Sequence, residues 1–167
     1  EAAYRKAGYY LDDGNETEAQ SWVNKALEYC HACGAEGRLY NLMARMVLAG
    51  NPQDAMNHAR HALTLNRNAG DKNEEANSQR LIADASFKLE DFKTAQQSYD
   101  DALRLDKESG AAAKISLDLM GLGRSIARQG RRAEAVEYFQ RAYSVAEGAG
   151  DTKTLEEAAV EIKKVTP

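Results

Sequence analysis

The chain has 167 residues and a formal net charge of −4, with 43% hydrophobic and 29% charged residues. That balance gives no basic footprint for nucleic acid, and no apolar run approaches the roughly 18 residues of a membrane helix. Two prolines in the whole length suit a nearly all-helical protein.

The first predicted helix runs from about Ala2 to Asp12 and stops at the turn cluster Asp13-Gly14-Asn15. The second, from Glu16 to Ala32, places Ala19, Trp22, Val23, Ala26, Leu27 and Cys30 on one apolar stripe, and Gly34 ends it. Glu36–Ala49 and Gln53–Asn68 form the next pair around Gly50-Asn51-Pro52, where proline suits a helix start. Asn73–Leu89 and Phe92–Glu108 follow, with Glu90-Asp91 as their turn. Ala111–Gln129 and Arg132–Glu147 form the fourth pair. Glycines 70, 110 and 150 stand where a left-handed residue closes a helix. Thr152–Val165 remains as a single helix with Leu155, Ala158, Ala159, Ile162 and Val165 on one face.

These pairs recur. Ala19, Ala55, Ala95 and Ala135 lie 36, 40 and 40 residues apart, and Ala26, Ala62, Ala102 and Ala142 follow each by seven. A period in this range marks a repeat array, in which each helix pair buries its apolar face only by stacking on neighbours. The expected repeats span about 1–34, 35–71, 72–111 and 112–151. The terminal helix 152–165 is expected to cap the last pair. Small residues at the recurrent alanines permit close helix approach, whereas Ala76 is expected on an exposed helix start.

The pattern resembles the tetratricopeptide repeat, with a small residue at position eight (Ala7, Ala83 and Gly123, though Met43 in the second), and alanine at twenty and twenty-seven. Its aromatic at twenty-four appears as Tyr99 and Phe139, but Val23 and Ala59 depart from it; the family's closing proline is missing. The longer period and Gly-Asp junctions resemble a subset seen in cell-polarity adaptors and in bacterial regulators and envelope proteins. The resemblance covers residues 1 to about 150 and implies an all-α, right-handed α-solenoid of four helix-turn-helix repeats plus a capping helix. It further implies a non-catalytic scaffold or adaptor that holds a partner's peptide or helix in a groove.

On the family's pattern the groove residues are Tyr4, Tyr40, Arg80, Asp84, Phe87, Lys88, Arg124 and Arg128. Arginines and aromatics there imply a partner with an acidic segment and an apolar anchor. The family's carboxylate clamp for chaperone tails is not expected. Its five positions read Tyr4, Gly8, Asn41, Asn77 and Leu81, of which only Asn41 fits. The alternative reading is a self-associating array within a larger assembly.

Motifs that tempt a chemical reading are weak. Cys30-His31-Ala32-Cys33 lacks the second ligand pair that zinc needs; ordinary thiols are the reading adopted, over a disulfide or a metal or redox pair. His58 and His61 share a helix face without a third ligand. Gly121-Leu122-Gly123 has no preceding strand and no third glycine; Gly123 fits the small eighth position, and Gly121 is assigned an open spot on the inner surface. No nucleophile has a base beside it. No enzyme activity, cofactor or metal is expected. The chain opens at Glu1 inside a helical pattern and reads as a fragment or processed form, so its compartment, cytoplasm or periplasm and cell envelope, stays open.

Overall fold

The computed structural model describes residues 1–30 and 34–166. Among them it holds nine α-helices and no strand: α1 Ala2–Asp12, α2 Glu16–Tyr29, α3 Glu36–Val47, α4 Pro52–Ala69, α5 Lys72–Lys88, α6 Phe92–Ser109, α7 Ala112–Arg128, α8 Arg132–Ala149 and α9 Thr152–Val165. The chain divides into two compact units, Glu1–Ala85 and Ser86–Pro167, with the division inside α5.

The helix boundaries have local causes. Asn15, Asn51, Asp91 and Asp151 each accept a bond from the backbone N–H three residues on, satisfying a donor that the first turn leaves unpaired. Gly70, Gly110 and Gly150 are left-handed C-caps with φ near 70°, a conformation that costs glycine nothing. Glu90 adopts the same conformation, φ 62°, and is the one described non-glycine residue to do so.

In the first unit, α1 lies against α2 and α3 against α4. The eight recurrent alanines of the whole chain are all buried, seven of them completely, as close helix approach demands. Ala7, Val23 and Leu42 form one core cluster, with Trp22 and Leu27 packed on it. Ala44, Ala59, Leu81 and Ile82 form another. Ala76 belongs to the interior, fully buried, and not to an exposed helix start. Polar contacts recur at a spacing of 33 residues: Arg45 to Asp12 at 2.8 Å and Arg38 to Asp71 at 2.7 Å.

In the second unit, α6 packs on α7, α7 on α8, and α8 on α9. Gly121 has a firm packing reason: a Cβ there would overlap the ring of Tyr99 on α6. Gly123 likewise makes room for Phe139 of α8, whose ring would stand 2.5 Å from an added Cβ. Gly121 is therefore a contact surface, and the open inner spot expected of it is occupied. The last helix, α9, buries Thr154 and Ala158, and its Glu157 meets Arg124 at 3.1 Å, again 33 residues apart.

Candidate functional site

A cavity of about 440 Å³ opens in the first unit between α1, α3 and α5. Tyr4 lines it from α1, Asn41 and Arg45 from α3, and Glu74, Asn77, Arg80 and Asp84 from α5; Leu42, Leu48 and Leu81 supply apolar wall. The expected residues Tyr4, Arg80 and Asp84 thus share one wall. Tyr40 does not. Its ring lies 4.2 Å from that of His61 and 6.1 Å from that of His58, both on α4. Successive helix residues point about 100° apart, so the neighbour Asn41 reaches the cavity instead. The two histidines that looked like a metal pair serve as the packing surface for Tyr40.

The polar wall is set by a buried network. Asn41 is 4% exposed. Its Oδ1 lies 2.8 Å from the Ser78 hydroxyl, which is shared at the same distance with the Glu74 main-chain oxygen, and Ser78 Oγ in turn accepts from Asn66 Nδ2 at 3.0 Å. Asn66 has room because residue 37 is glycine; a Cβ at Gly37 would overlap the Asn66 amide. Asn41 turns Nδ2 to Glu74, donating to Oε2 at 2.8 Å and to the main-chain oxygen at 3.1 Å. Arg80 donates to Asn77 Oδ1 at 3.1 Å across one turn of α5.

Charges around the cavity follow from these contacts. Burial raises the Tyr4 phenol above its ordinary pKa, and the Glu74 carboxylate pushes it the same way. At Asp71, burial works upward, but the Arg38 guanidinium and the backbone N–H of Glu74 outweigh it and hold the carboxyl below the usual range. Burial likewise opposes ionisation of Glu75, and bonds from Arg67 and Lys72 prevail.

The remaining expected residues belong to the second unit, where their cations are engaged. Arg124 bonds Glu157 at 3.1 Å and stands 3.7 Å from Glu161. Arg128 lies over the rings of Phe92 and Phe87, at 4.5 and 5.7 Å, and pairs with Glu90 at 3.3 Å. Phe87 in turn meets Phe92 edge-on at 5.3 Å. Lys88 is exposed. Sequence reasoning missed Glu74 and the supporting Asn66–Ser78 pair. It did name Asn41 and Asn77, as clamp positions, and the structure brings four of those five positions, Tyr4, Asn41, Asn77 and Leu81, to the same cavity.

Cys30 is buried and disulfide-bonded, which corrects the expectation of an ordinary thiol there. His31 and Cys33 lie outside the described residues. Among the described residues no group of three or more metal-ligating side chains occurs, and no helix is long and apolar enough to cross a membrane.

Residues 78–109, most of α5 with α6, match the tetratricopeptide repeat family. The chain has a tetratricopeptide-type repeat fold. Solved structures of similar fold include apo RapI, 15% identical, with a TM-score of 0.84 over 98% of this chain and 61% of that one. A Rap protein complexed with competence and sporulation factor gives 18% identity and 0.83, covering 98% of this chain and 46% of that one. A signal transduction ATPase with numerous domains from Pyrococcus horikoshii, bearing a tetratricopeptide repeat sensor, gives 18% and 0.79 over 96% of this chain and 26% of that one. The chain thus spans less than two thirds of each of these structures. Among curated proteins, none matches the sequence.

Proposed function

We propose that this chain is a non-catalytic interaction module that holds an extended segment of a partner protein in the cavity of its first unit. The observation that carries this reading is one cavity in which the half-buried Asn77 amide faces an apolar wall of three leucines, with the buried Asn41 amide fixing the polar wall behind it. Carboxamides both donate and accept, so they suit a peptide main chain, while leucines take up side-chain area. A Rap protein of the same fold, crystallised with competence and sporulation factor, offers a parallel for ligand capture by such repeats. An acidic segment was expected from Arg80, Lys88, Arg124 and Arg128. Arg124 and Arg128 are satisfied by Glu157, Glu161 and Glu90, which removes much of the motive for it.

The test is selection from a random-peptide display library against the whole chain, followed by fluorescence anisotropy on the peptides recovered. Asn77→Ala combined with Arg80→Ala should weaken them at least tenfold with no loss of thermal stability, and Arg141→Ala on α8 should leave them unchanged. Peptides indifferent to the double substitution would place binding elsewhere and overturn the reading.

A further inference from the structure

We propose that Glu74 receives a positively charged group of the bound segment, a lysine or arginine side chain or a terminal ammonium. The inference rests on the peptide reading above and adds the charge that the cavity selects. Its basis is the way the network fixes one carboxylate. Ser78, which Asn66 bonds in turn, contacts the oxygen side of the buried Asn41 amide, and the amide nitrogen holds Glu74 Oε2 at 2.8 Å. The bond comes from a neutral donor, so it positions the carboxylate without cancelling its charge. No arginine or lysine among the described residues forms an ion pair with Glu74. Arg38 pairs with Asp71 and Arg45 with Asp12, and Arg80 of the same cavity donates to Asn77.

Arg45, Arg80, Glu74 and Asp84 line the cavity, and Arg45 is paired with Asp12 outside the lining. Burial raises the Tyr4 phenol, and the Glu74 carboxylate pushes it further the same way. A half-buried carboxylate beside an aromatic ring gains by receiving a cation, through charge and through the ring face. Prior orientation by a buried amide lowers the ordering cost of that contact.

The probes are four pentapeptides: acetyl-Ala-Ala-Lys-Ala-Ala-amide, its norleucine and glutamate counterparts, and pentaalanine amide with a free amino terminus. Each is titrated into the isotopically labelled chain while the side-chain amide signals of Asn41 and Asn77 are followed by NMR. The lysine peptide, the free-amine peptide or both should bind at least fivefold more tightly than the norleucine peptide, and comparing the two tells which cation is taken. Glu74→Gln, which keeps an oxygen for Asn41, should erase that preference without lowering the melting temperature. Equal binding of the norleucine peptide, a preference for glutamate, or a lysine preference that survives Glu74→Gln would overturn the charge assignment and leave the peptide reading standing. Silence of both amide signals with all four probes would overturn both.

Discussion

The ring of Tyr99 fills the space that a side chain on Gly121 would need. This contact joins α6 to α7 through a residue that looks, in the sequence, like part of an empty nucleotide fingerprint. It is tight on both sides, since Tyr99 is 6% exposed and Gly121 is buried.

Gly121→Ala should therefore destabilise the chain, although alanine is the better helix former by about 1 kcal/mol. Overpacking of a close contact costs about 1–3 kcal/mol and outweighs that gain. Urea unfolding measures the difference. An alanine variant at least as stable as the parent would show that the ring moves aside freely.

Glu90→Gly should act in the opposite direction. Glu90 is held at φ 62°, where a side chain costs about 1–2 kcal/mol and glycine does not. The bond to Arg128 that is lost spans two well-exposed side chains and contributes little. A net gain approaching 1 kcal/mol is expected in the same unfolding experiment. A fall in stability would mean that the Glu90–Arg128 contact is worth more than an exposed ion pair.

The recurrent alanines give a graded test. Ala95→Leu and Ala102→Leu, both at fully buried positions, should each cost about 1–3 kcal/mol. Ala133→Leu, at an exposed position on α8, should leave the midpoint nearly unchanged. Ala76 cannot serve as the exposed comparison, because it is completely buried.

Acid should weaken the first unit in a way that Arg38 controls. Asp71 and Glu75 both titrate below the usual carboxylate range in the folded chain. Their contribution is in place above the unfolded value, about 4, and is lost as pH falls through the lowered folded values. Arg38→Met should flatten the acid limb of the stability profile, leaving the part that comes from Glu75. An unchanged limb would remove Asp71 from the explanation.

The architecture was legible because it is written in small residues at a fixed period. An alanine that recurs every 36 to 40 positions reports packing directly, and the helix ends fall where asparagine, aspartate and glycine cap them. The cavity was legible only in part. Groove positions carried over by pattern identify Tyr4, Arg80 and Asp84, but Tyr40 packs on His58 and His61, and Asn41 lines the cavity instead. Glu74 was missed because its role depends on Asn66, eight residues away on the preceding helix, and on Gly37, which admits Asn66. The arginines Arg124 and Arg128 read as available charge because their partners, Glu157 and Glu90, are 33 and 38 residues distant. A pattern of residue types names positions, whereas the sign of a surface depends on pairings across helices.

Asn66 also limits how far this cavity could be transplanted. Grafting Tyr4, Asn41, Glu74 and Asn77 onto another repeat scaffold would copy the visible lining and lose the rule that orients it. Without Ser78, Asn66 and the bare backbone of Gly37, Asn41 Oδ1 would lose its buried polar contact, and the amide one of the anchors that hold it beside Glu74. The smallest transferable unit of recognition therefore includes a residue on α4 that does not line the cavity, together with a glycine whose contribution is the space it leaves.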